Sequence, residues 1–309
     1  MLTHPCWKWI AGALLASGPL CAATPPAANP GPGLAQYLAQ NGYVPIRVDN
    51  TGDNQGAVQV RINGCTGTLA LDTGCMRTCI TSGFALHVKL DIHQADPMVG
   101  VGGALAGSGL ALLNSFALNN LTINRTDTIQ VLPPRASAPE DGLLGYDYMR
   151  LNSMILPVGA NFLLYKQGPA PPPEIDSFLK AWGYQPIPLS LGEGGLLATG
   201  SLDGHPMIVV VDSGAKNTVF DLGFVKMTVG ALISTSRLIY WGIDGRPMYV
   251  GTFEADKFTL GAMTFRPTMT TTANVTALRK MHVQALLGYD LLAEHKAIID
   301  LGHDVLWMK

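Results

Sequence analysis

Two short stretches of the chain are apolar without a break: 68–71 (TLAL) and 208–211 (IVVV). Runs of this length, bounded by turn formers, predict strands buried on both faces. Each follows a hairpin signal, Asn63-Gly64 in one case and Asp203-Gly204 in the other, dipeptides that accept the two positive φ angles of a tight two-residue turn. Each runs directly into an acidic triplet, Asp72-Thr73-Gly74 or Asp212-Ser213-Gly214, where the glycine permits a sharp turn. A second buried strand is predicted at 78–80 (TCI) and at 218–220 (TVF). Glycine-rich stretches follow at 100–109 and 241–245, and LLGYD opens a short helix at 143–147 and again at 286–290. A short helical pattern and a strand after Gly-Tyr begin each series. The predicted fold class is mainly β.

The two series are copies of one unit. YLAQNGYVPI (37–46) returns as FLKAWGYQPI (178–187), and NGCTGTLALDTG (63–74) as DGHPMIVVVDSG (203–214). LLGYD returns unchanged, and ILPVGANFLLYK (155–166) returns as IIDLGHDVLWMK (298–309). Four landmarks in one order, at spacings of 140 to 143 residues, mark an internal duplication. The units are expected at 34–166 and 175–309, joined by a proline-rich linker at 167–174. In the LLGYD segments Tyr146 and Tyr289 are expected to pack in the core, with Asp147 and Asp290 capping the helices.

Composition narrows the functional classes. The chain is 48% hydrophobic and only 14% charged, with a net charge of −2, which excludes disorder and offers no basic surface for nucleic acid. Residues 1–23 have the pattern of an export signal: Lys8, an apolar stretch broken by Gly18 and Pro19, then Cys21-Ala22-Ala23. The stretch is too short and too interrupted to span a bilayer, so no integral membrane segment is expected after cleavage. Residues 24–33 (TPPAANPGPG) read as a flexible lead-in. An exported, periplasmic or secreted protein follows. Cys65, Cys75 and Cys79 remain in the mature chain, allowing at most one internal disulfide.

The doubled triplet carries the chemistry. A pseudo-twofold pairing of the units brings the two triplets to the axis. Two carboxylates held there cannot both ionise easily, so one keeps a proton while the other is charged. Such a pair can take a proton from water as it attacks an amide, and can donate a hydrogen bond to the carbonyl oxygen. Asp72 and Asp212 are therefore the candidate catalytic residues, without cofactor or metal. Competing motifs are missing from the sequence: no HExxH or zinc-spaced cysteine pairs, no GxSxG and no phosphate-loop spacing in 99–109. Cys75 has no matching histidine motif, and a packed thiol or a Cys75–Cys79 disulfide accounts for it better than a nucleophile.

With LALDTGC (69–75), VVVDSGA (209–215) and the two late LLG elements, the chain resembles the aspartic peptidases of the pepsin and retropepsin type. It is most similar to bacterial-type aspartyl-protease-like proteins with two retropepsin-like units in one chain. The resemblance covers nearly all of the mature sequence. It implies two retropepsin-like β-barrel lobes about a pseudo-twofold axis, a pepsin-like bilobal architecture, and a monomer paired through its own lobes. It implies that Thr73 and Ser213 hydrogen-bond across the axis, with Gly74 and Gly214 beside them. It places flaps over the cleft at Val101, Gly102 and Gly103 and at Tyr240, Trp241 and Gly242. Residues 96–109 contain no tyrosine, unlike the first flap of pepsin-type enzymes, and Cys75 stands where the family usually has Ala or Ser. The expected activity is endoproteolysis of a peptide or protein substrate. The alternative is a peptide-binding or structural protein that keeps the fold without turnover.

Overall fold

The computed structural model describes residues 31–309 apart from 51–54, 96, 101–102, 120, 123–127, 135, 137–139, 231–232 and 267–268. The expected export signal lies outside the described residues, as do Val101 and Gly102. A helix, Gly31–Gln40, begins inside the expected lead-in; Pro32 stands in its first turn, where a missing N–H removes no helical hydrogen bond. Among the described residues no helix is long and apolar enough to cross a membrane.

The architecture is two-lobed and mainly β, built on three large sheets. One ten-stranded sheet is drawn from the first copy and another from the second, and a six-stranded sheet joins them. The hairpins form where expected: Gly56–Ile62 pairs with Cys65–Leu71, and Gly195–Leu202 with His205–Val211. Asn63 and Gly64 turn at φ 49° and 83°, and Asp203 and Gly204 at 47° and 85°, the doubly left-handed turn that matches strand twist.

Each LLG element is a strand placed between the other two buried strands of its copy. Gly142–Leu144 runs parallel to Cys65–Leu71, with Leu144 beside Leu71, and antiparallel to Cys79–Thr81. Ala285–Leu287 repeats this between His205–Val211 and Val219–Asp221. Parallel pairing needs a long crossover, which explains why LLG comes late in each unit. Leu69, Val209, Leu144 and Leu287 are completely buried, but the expectation of burial on both faces is corrected at the start of the second run, where Ile208 is exposed and only 209–211 are buried.

The six-stranded sheet carries the pseudo-symmetry. Its order is Tyr43–Arg47, Phe162–Lys166, Ile155–Pro157, Ile298–Asp300, Val305–Met308, Gln185–Pro188. The centre is the antiparallel pair Leu156 and Ile299, equivalent residues of the two copies. Residues 167–175, between the copies, carry no helix or strand.

Two expectations for the LLGYD segments are corrected. Gly145 and Gly288, not the aspartates, occupy the N-cap positions of Tyr146–Leu151 and Tyr289–Glu294. Asp147 and Asp290 turn back to accept the N–H and hydroxyl of Thr78 and Thr218. Tyr146 is buried, whereas Tyr289 is only half-buried.

Candidate active site

The acidic triplets leave the ends of Cys65–Leu71 and His205–Val211 and meet at the interface of the copies. The main-chain N–H of Asp72 donates to Leu144 O at 3.1 Å, and that of Asp212 to Leu287 O at 3.0 Å. The LLG strands thus hold both loops from beneath. Gly145 and Gly288 continue this contact. A Cβ at Gly145 would lie 2.6 Å from the Arg77 carbonyl carbon, and one at Gly288 2.4 Å from that of Asn217, so neither position accepts a side chain without a shift of backbone.

Thr73 and Ser213 lock the loops together. The Thr73 hydroxyl donates to Val211 O at 2.9 Å and accepts the Ser213 N–H at 2.9 Å. The Ser213 hydroxyl donates to Leu71 O and accepts the Thr73 N–H, both at 3.1 Å. Both side chains are buried, and their hydroxyls bond only to the opposite copy, so separating the copies would break all four hydrogen bonds.

Gly74 and Gly214 let the carboxylates approach. A Cβ at Gly74 would stand 2.4 Å from the Asp212 carboxyl carbon, and a Cβ at Gly214 2.3 Å from that of Asp72. The same close fit sets the two carboxyl groups beside each other, near enough for each to influence the other's charge. Asp72 Oδ1 also accepts the Cys75 N–H at 2.9 Å, and Asp212 Oδ1 accepts the N–H groups of Gly214 and Ala215, each at 2.9 Å.

These contacts decide the protonation. Burial raises the carboxyl pKa of Asp72 above the ordinary carboxylate range, opposed by the backbone donors. Burial raises Asp212 well above it, and the neighbouring Asp72 charge adds to the rise. Two coupled groups titrate as a unit, and this unit retains one proton where isolated carboxylates have lost theirs. Neither Cys75 nor Ala215 adds a side-chain donor: the Cys75 thiol donates instead to Arg77 O at 3.0 Å, and alanine has none.

Three supporting groups escaped the sequence reading. Thr78 and Thr218 hydroxyls accept the N–H of Gly145 and Gly288, both at 3.0 Å, linking each LLG turn to its neighbouring strand. Their signal was a threonine at the same place in both copies. Gln55 is buried and donates to Gly214 O; the equivalent position is Gly195, so duplication offered no signal.

The residues expected at the second flap lie in and beside the hairpin of Ser234–Trp241 with Pro247–Phe253. Tyr240 packs with Ala215 against the cluster around Val210, Val219 and Leu286. Trp241 is 64% exposed, as alternation along a strand dictates. Gly242 is buried in the turn. Ile243, which the sequence did not single out, reaches into the first copy and packs against the cluster of Ala70, Cys79, Leu132 and Leu143. Of the residues expected at the first flap, Gly103 begins a strand, Gly103–Leu105, whose partner is Met98–Gly100.

A family model described as aspartyl protease matches residues 58–148. That span contains Asp72 and the first LLGYD and covers one of the two copies. Among solved structures, the aspartic proteinase from Irpex lacteus matches at 12% identity over 86% of this chain and 96% of its own, with a TM-score of 0.49. No curated protein matches. The family match supports an aspartic peptidase affiliation for this chain.

Proposed function

We propose that the protein is an aspartic endopeptidase that hydrolyses peptide bonds by water activated between Asp72 and Asp212. The observation that carries this reading is the interlocked pair of triplets, in which each glycine admits the opposite carboxylate and brings the two buried carboxyl groups close enough to affect each other's charge. With one proton on the pair, the charged oxygen draws a proton from the attacking water. The protonated one donates to the carbonyl oxygen as it gains charge. The tetrahedral diol then collapses as a proton passes to the leaving nitrogen. Neither a covalent intermediate nor a metal is required.

The reading includes two lobes, 34–166 and 175–309, an exported mature chain that acts as a monomer, and an extended peptide bound between the lobes beneath the hairpins. A non-catalytic peptide binder is the second reading, favoured by the lack of tyrosine in 96–109. A hydroxyethylene peptide mimic separates the two. It places a hydroxyl where the diol would sit, so a peptidase binds it far more tightly than the matching substrate peptide. A simple binder holds both alike. Equal affinity, with intact peptide recovered after long incubation, would reject the peptidase.

A further inference from the structure

The segment that follows Asp72 carries two thiols that the proposed hydrolysis does not use. Cys75 follows Gly74 and Cys79 opens the next buried strand. Cys79 is completely buried, and Cys75 packs against the apolar cluster to which Cys79 belongs. Cys65 lies apart, against the main core. Among the described residues, Cys65, Cys75 and Cys79 are free thiols.

The pairing is not something the fold demands. The second copy builds the same turn with Ala215 and Val219 at the equivalent positions. The Ala215 N–H donates to Asp212 as the Cys75 N–H donates to Asp72. Sulfur is thus an addition specific to the first copy, placed at the residue whose main chain holds a carboxylate of the candidate dyad.

We propose that Cys75 and Cys79 are a reversible disulfide site that staples the Asp72 loop to the strand beneath it. The strand end is a firm anchor, because Cys79 pairs with Leu143 on one side and Gln130 on the other. Oxidation removes two electrons and two protons from the thiols and forms one S–S bond. With oxidised glutathione as the acceptor, a mixed disulfide forms at Cys75, Cys79 displaces it, and two molecules of reduced glutathione leave. The Cys75 thiol gives up its hydrogen bond to Arg77 O, while its main-chain donor to Asp72 becomes fixed by a covalent ring. The neighbouring Cys79 thiol, burial and the Asp72 charge all keep the Cys75 thiol protonated, so exchange is slow in acid and quickens as pH rises.

The test uses the chain from residue 24, which holds three cysteines, in mixtures of reduced and oxidised glutathione at mildly alkaline pH, read by intact mass, peptide mapping and thermal midpoint. Expected are the loss of two hydrogens, a link mapped between residues 75 and 79, an alkylatable Cys65, and a midpoint raised by about 3 °C. Dithiothreitol reverses all of these, and Cys65→Ala behaves like the wild type. Cys79→Ala should hold glutathione on Cys75 with no rise in midpoint. Should that variant not fold, Cys75→Ala, which installs the residue the second copy already uses, should form no internal link. Three alkylatable thiols in excess oxidised glutathione, or a link through Cys65, would overturn the proposal. Neither result depends on whether the protein cleaves peptides.

Discussion

Burial sets the direction of the dyad's pH behaviour, and the residue after each glycine adjusts it. At Cys75 and Ala215 the carboxylates receive backbone donors only, and burial raises both. Donors to the charged form lower a carboxyl pKa, so a pair without hydroxyl donors surrenders its last proton at higher pH. Activity needs that proton, and the upper limb of the kcat/KM profile should therefore lie above that of a hydroxyl-supported dyad. Ala215→Ser should move the upper limb to lower pH. Activity confined to strong acid, or an upward shift in the serine variant, would show that residues 75 and 215 do not set the window. The Asp-Thr/Ser-Gly triplets were legible at this scale because each occurs twice at one place in the repeat. Gln55 was not, because its counterpart is a glycine and a lone glutamine in a polar stretch of sequence has no pattern to stand out from.

Within single elements, the LLG strand shows how far a pattern reaches. Its burial and its late position could be read from apolarity and repetition. The work of its flanking residues could not. An aspartate in the first turn of a helix is ordinarily a cap, but glycine takes that position here and Asp147 serves the strand opposite. Side-chain partners across a sheet depend on register, which local sequence specifies only when a face must be buried. The resulting Thr78–Gly145–Asp147 linkage has a measurable weight. Thr78→Val keeps the shape but leaves the Gly145 N–H and an Asp147 oxygen short of partners, which should destabilise the protein by about 2 kcal/mol in chemical denaturation. Thr218→Val should cost a similar amount. A change within about 0.5 kcal/mol, the range of an ordinary surface substitution, would mean that the linkage contributes nothing. Ile243 was equally hidden, since the tip of a hairpin does not announce which neighbour it reaches.

Across the whole molecule, the two copies are joined by the central sheet below and the interlocked triplets above. The sheet contains a titrating contact. His303 Nδ1 meets the buried Asp300 Oδ2 at 2.7 Å, and this hydrogen bond raises the His303 pKa above its ordinary 6.5, against the effect of burial and with help from the nearby Glu174 and Asp176 charges. A raised folded value means stability fully present below about 6.5 and lost as pH rises through the folded value. His303→Gln should therefore cost about 1 kcal/mol at pH 5 and much less at pH 8, checked by denaturation at both; a penalty independent of pH would contradict the ion-pair account. The triplets carry the central claim, that one chain supplies both halves of a working dyad. Its most direct measurement is the digestion of a denatured protein by the wild type, Asp72→Asn and Asp212→Asn, with the thermal midpoint of each recorded at neutral pH. Both variants should lose all detectable cleavage while remaining folded, with midpoints no lower than the wild type, because each removes a buried acid from a strained pair. Appreciable cleavage by either folded variant would contradict the shared dyad.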